Sequence, residues 1–168
     1  MFRLTLAAFV LSTTAAFAQT DVTETQAMPA DADFIVTHFP MADSALPDPE
    51  DVKGWVAAYF EGTRSMDAAQ WAAAFAPEAV LDDPVGAPVK DTPEAILAQG
   101  EGFVSAFAEV GLYESFIHVA GREAVARWQG RGTLPDGTEI TLEGINHFTF
   151  DDDGKITLLR GFFTPPGM

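Results

Sequence analysis

No cysteine occurs among the 168 residues. That excludes disulfides, thiolate metal sites, a lipid anchor on cysteine and cysteine nucleophiles together. Positive charge is scarce too: nine Lys and Arg stand against 25 Asp and Glu, for a formal charge of −16. Nucleic acid and anionic membranes are recognised by clustered cations, so neither is an expected partner. Only three histidines are present, His38, His118 and His147, and none has a His or Glu at ligand spacing, so no metal site is expected. Glycine-rich phosphate loops and nucleophile elbows are missing, and no cofactor is expected. After the first 18 residues no apolar run approaches the ~20 residues of a membrane helix, so the mature chain should have no membrane span.

What is present begins with those 18 residues. Arg3 forms a short basic region, Leu4 to Leu11 is almost wholly apolar, and Ala16-Phe17-Ala18 is a small-x-small cleavage site. The pattern reads as a secretory signal peptide, cut near Ala18, giving a periplasmic or secreted protein. Losing Arg3 makes the mature chain one unit more acidic, a charge suited to solubility. Residues 19–48 carry several acids, no Lys or Arg, and prolines at 29, 40 and 47. This composition suits an extended tether, although Phe34-Ile35-Val36 and Phe39 are apolar enough to dock.

The folded unit is expected over 49–166. Asp48-Pro49-Glu50-Asp51 combines a cap, a first-turn proline and acids that complement a helix dipole. Val52, Trp55, Val56, Tyr59 and Phe60 then repeat at helical spacing as far as Gly62. A second helix starts near Asp67 and should be stopped by Pro77. Ala79–Leu81 is a short strand entering Asp83-Pro84-Val85-Gly86. Thr92-Pro93-Glu94 opens a third helix running to about Val110. Four strands follow, 113–119, 124–134, 139–150 and 156–163, joined by hairpin-type turns. The order predicts an α+β layout, three N-terminal helices packed in a curved, mostly antiparallel sheet.

Three polar side chains stand out within this apolar frame. Alternation along 139–150 puts Asn146 on the same face as Leu142 and Phe148, where an unpartnered amide costs about 1–3 kcal/mol. Taken alone, it reads as a core Asn bonded to backbone. Asp83 precedes a proline, so taken alone it reads as a turn cap, with Asp82 pointing to the opposite face. Tyr59 lies on the inward helical stripe, where a core aromatic is the ordinary role. Arg160 is suited to pairing with an acid on a neighbouring strand. Trp55, Phe103, Phe107, Phe116, Trp128, Phe148 and Phe162 are candidates to line an apolar pocket, and equally candidates for plain core.

Together, however, Asp83-Pro84-Val85-Gly86, Tyr59 twenty-four residues before it, and Ile145-Asn146-His147-Phe148-Thr149-Phe150 followed by Gly154-Lys155 and Arg160 resemble bacterial ketosteroid isomerase. That enzyme belongs to the NTF2-like, SnoaL-like superfamily of cone-shaped folds. The resemblance covers residues 50–163. It implies a cofactor-independent steroid delta-isomerase activity on a small apolar carbonyl compound, steroid-like in kind. Asp83 would be the general base, Tyr59 an oxyanion-hole donor, and the chain would form a homodimer through the sheet. At the place of Asn146 the family carries a carboxylic acid held neutral so that it donates. An amide donates at every pH but is a weaker acid, and it adds an acceptor oxygen that needs a partner. The same scaffold serves SnoaL-type cyclases, dehydratases and non-catalytic ligand-binding or scaffold domains, so those alternatives stay open on sequence alone.

Overall fold

The computed structural model describes residues 46–165. The expected signal peptide, almost all of the expected tether and His38 lie outside the described residues. From Asp48 onward the order is α1 (Pro49–Arg64), α2 (Ala68–Ala72), β1 (Phe75–Asp82), α3 (Pro93–Ala106), β2 (Glu109–Ala120), β3 (Glu123–Thr133), β4 (Glu139–Phe150) and β5 (Ile156–Phe162).

The helix starts follow local chemistry. Asp48 accepts the backbone N–H of Glu50 at 2.8 Å, and Thr92 accepts that of Ala95 at 3.2 Å. Each satisfies a donor that the helix itself leaves free. The helix ends differ from expectation. Gly62 does not end α1 but lies within it, buried, because α2 crosses there. A Cβ on Gly62 would stand 3.1 Å from the Cα of Trp71. The chain turns instead at Ser65 and Met66, whose φ is +56°. In the same way α3 stops at Ala106, since Phe107 is already extended and Ala108 donates to the carbonyl of Thr133 at 2.7 Å.

The sheet has five strands in the order β1-β5-β4-β3-β2. The expected meander accounts for β2 to β5, which pair antiparallel, while β1 joins as a fifth strand, parallel to β5. It is longer than the three residues expected and runs straight through Pro77. A proline is tolerated there because β1 is an edge strand, and the pairing is irregular between Phe75 and Val80. One sheet face packs against the helices through Val52, Val56, Phe60, Leu81, Phe148 and Leu159, all essentially buried. On the other face Tyr113, Phe116, Val125, Ile145 and Phe162 are exposed. Among the described residues no helix is long and apolar enough to cross a membrane.

Candidate active site

Between the helices and the inner sheet face lies an apolar cavity of about 190 Å³. Tyr59 enters it from α1, Asp83 from the end of β1 and Asn146 from the middle of β4, so all three line one space. Three different elements are thus needed to bring the set together.

Asp83 arrives because β1 alternates. Asp82 turns outward and pairs with Arg160, its partner on β5, at 3.0 Å; Asp83 turns inward. The chain then closes on itself, with Leu81 and Lys90 exchanging backbone hydrogen bonds at 2.8 and 3.0 Å, and Lys90 Nζ donating to the Asp83 carbonyl at 3.2 Å. Gly161 provides the room for the carboxylate, since a Cβ at that position would overlap it. Burial pushes the Asp83 carboxyl up to about 6, Lys90 works against the shift and Asp82 adds to it.

Tyr59 is 3% exposed. Its ring stands edge-on to Phe148 and Phe60, both at 5.1 Å between centroids. Burial first, and then the charge on Asp83, push its hydroxyl above the ordinary tyrosine range, while the Trp71 and Asn146 side chains beside it oppose the shift. The hydroxyl therefore keeps its proton and acts as a donor.

Asn146 is 2% exposed, and Trp128 Nε1 donates to its Oδ1 at 2.9 Å. The acceptor oxygen that a core amide adds is thus satisfied by a side chain. The -NH₂ end lies toward the Tyr59 hydroxyl. A carboxylate that is largely ionised at neutral pH and two neutral donors in an apolar cavity are what proton transfer beside a carbonyl requires.

The expected pocket residues divide. Phe103, Phe107 and Trp128 line the cavity. Phe148 does not; it is fully buried core behind Tyr59. Trp55 packs on Phe150 at 5.4 Å and covers Gly154 in the β4–β5 turn. Phe116 is on the outer face, because the β2–β3 pairing slips between Glu114 and Phe116, and the extra residue reverses which side chains point inward. Phe162 is outside as well. Leu159 and Gly161 face in, so the alternation sends Phe162 out and brings Phe163 to the cavity. Sequence reasoning does not single out Trp71, Gly161, Lys90 or Phe163 for the site. For Gly161 and Lys90 the decisive neighbours come from the parallel β1–β5 pairing and a closed loop, which no periodicity announces.

The SnoaL-like domain family matches residues 56–159. A Steroid Delta-isomerase from Nocardioides simplex is 34% identical over 119 residues, 70% of this chain and 94% of that protein. Among solved structures, the epoxide hydrolase/cyclase-like enzyme SalBIII of salinomycin pyran ring formation superposes with a TM-score of 0.64 at 24% identity, covering 70% of this chain and 93% of that one. AusH from Aspergillus nidulans gives 0.63 at 16% identity, over 70% and 86% of the two chains. An NTF2-like protein from Exiguobacterium sp. 255-15 gives 0.57 at 17%, over 66% and 98%. These structures share the fold, and the isomerase adds sequence identity across the whole domain. The chain belongs to the SnoaL-like family, on the NTF2-like fold, and is a homologue of steroid delta-isomerase.

Proposed function

We propose that this domain is a cofactor-independent isomerase that moves a proton next to a carbonyl, with Asp83 as the base. The observation that carries the reading is the meeting of Asp83, Tyr59 and Asn146 in one apolar cavity. The carboxylate removes a proton from the carbon between the carbonyl and the double bond of a β,γ-unsaturated ketone. The electron pair moves into the carbonyl, forming a dienolate whose oxygen accepts hydrogen bonds from the Tyr59 hydroxyl and the Asn146 amide. Asp83, now protonated, returns the proton to the γ-carbon, giving the conjugated ketone and regenerating the carboxylate. With a carboxyl at about 6, the base is about nine-tenths ionised at pH 7, near the optimum for such a group.

The test is the rise in conjugated-enone absorbance from 5-androstene-3,17-dione or a smaller β,γ-enone, comparing wild type with Asp83→Asn. No turnover above buffer by wild type sinks the isomerase reading, and equal rates remove Asp83 as the base. A second reading, an apolar-ligand-binding domain without catalysis, is favoured by the amide at 146 in place of an acid. A ligand co-purified and identified by mass spectrometry, with no reaction on any enone, would select it. Two companion features belong to the proposal. The leader supports export, which N-terminal sequencing of the mature protein checks. The exposed Phe116, Ile145 and Phe162 support a homodimer through the outer sheet face, which sedimentation of wild type against Ile145→Lys checks.

A further inference from the structure

We infer that Trp128 is a positioning residue, its indole N–H fixing the Asn146 amide so that the -NH₂ end faces Tyr59 and the cavity. The inference rests on the reading of Asn146 as a donor to the substrate oxygen. An amide is nearly symmetric in shape but not in chemistry: one end donates, the other accepts. Turned the wrong way, Asn146 would aim a carbonyl lone pair at a developing enolate and repel it. A protonated acid has no such ambiguity, because its proton can sit on either oxygen. An amide must be held.

Trp128 does the holding. An indole nitrogen only donates, so the amide end that Trp128 meets at 2.9 Å is the oxygen. Reversing the amide would set two donors against each other in a buried space and lose the Trp128 hydrogen bond. The ring itself has one seat. Trp128 is paired across the strands with Gly144, and Asn146 with Ala126, so the tryptophan reaches diagonally over the glycine. A Cβ on Gly144 would stand 2.6 Å from Trp128 Cζ2. Phe163 closes the other side edge-on at 5.7 Å. Filling this seat needs only an aromatic ring; orienting the amide needs the N–H.

Trp128→Phe removes the N–H and keeps most of the ring. The expected result is a kcat on a β,γ-enone lowered about tenfold, the effect of one buried hydrogen bond, with KM within about twofold and the acid limb of the pH profile unmoved. The Asn146 side-chain amide resonances should shift and broaden, and 4-nitrophenolate, an oxyanion probe, should bind about tenfold more weakly. In an Asn146→Ala background, Trp128→Phe should change kcat by less than about twofold, since the group it positions is gone. A full tenfold loss in that background makes Trp128 a packing residue and overturns the inference, as do unchanged amide resonances in the single variant. Should Trp128→Phe not fold, the wild-type indole N–H resonance decides: a proton bonded to the Asn146 oxygen exchanges slowly and shifts in Asn146→Ala, and one that does neither overturns the inference. If wild type turns over no enone, the isomerase reading fails, while the amide resonances and phenolate binding still decide the role of Trp128.

Discussion

Gly161 and the Asp83 carboxylate share one space: a Cβ at 161 would lie on the carboxylate oxygen and 2.7 Å from its Cγ. The glycine sits in a regular strand, so alanine meets no backbone strain there, only the acid. Gly161→Ala should therefore displace Asp83 and lower kcat/KM at least a hundredfold, at about 1–3 kcal/mol of stability from overpacking. Gly102 in α3 is the control, because a Cβ there meets nothing within 4 Å. Gly102→Ala should leave activity unchanged and add about 0.5–1 kcal/mol to stability. Steady-state kinetics and urea unfolding check both. Full activity in Gly161→Ala would show that the carboxylate position is not set by this contact.

The base also has a cost in stability. Burial raises the Asp83 carboxyl from an ordinary 3.8 to about 6, so the folded chain holds this proton more tightly than the unfolded one. A raised carboxylate value means that ionisation opposes folding. The penalty is absent below about pH 4, grows as pH rises to 6 and is complete above it, at about 3 kcal/mol. Asp83→Asn should therefore be more stable than wild type at pH 7–8, with the gap closing toward pH 4. Chemical unfolding across that range checks it, and a gap that does not change with pH counts against the buried carboxylate.

Activity should follow the same group with the opposite sign. Only ionised Asp83 accepts a proton, so kcat/KM should rise with pH through a midpoint near 6 and then level off. Tyr59 is pushed upward from the tyrosine range and the Asn146 amide does not titrate, so no descending limb is expected between pH 7 and 9. A profile measured with a β,γ-enone in constant-ionic-strength buffers tests this. A bell centred near neutrality would mean that a second titrating group works in the cavity.

Fold and site are unequally legible in the sequence. The caps at Asp48 and Thr92 are readable because capping needs only neighbours two or three residues apart. The inward stripe of β4, Asn146 included, is readable because period two survives along an unbroken strand. Phe116 is misplaced by simple alternation because one unpaired residue in β2 inverts the parity beyond it. Pro77 misleads because it reads as the stop of the second helix, which already ends at Ala72, and stands instead within β1, where an edge strand tolerates it. Which strand lies on the edge depends on a parallel pairing with β5, far along the chain. Tyr59, Asp83 and Asn146 emerge as a set through resemblance; locally each is as well explained as core or turn. Trp128 is legible as a large aromatic, but its hydrogen bond depends on the β3–β4 register.

Asn146→Asp puts the family's acid into this cavity, where the surrounding groups set its charge. Residue 146 is almost wholly buried and faces Tyr59, with Asp83 also lining the space. Desolvation and that second carboxylate favour the neutral acid, while the Trp128 N–H, donating to one oxygen, favours the anion. At a position 2% exposed, desolvation and the second carboxylate outweigh the two neutral donors, Trp128 N–H and Tyr59 O–H, so the introduced carboxyl should titrate above the ordinary carboxylate range. Protonated, it donates to the substrate oxygen; ionised, it repels the dienolate. Asn146→Asp should therefore match or exceed wild type in kcat near pH 6 and fall below it as pH rises, turning the wild-type plateau into a bell. The two profiles, measured side by side, give the answer. A plateau retained by the aspartate variant up to pH 9 would mean either that position 146 does not touch the reacting oxygen or that its acid stays neutral throughout, and the side-chain carboxyl resonance followed with pH tells those apart.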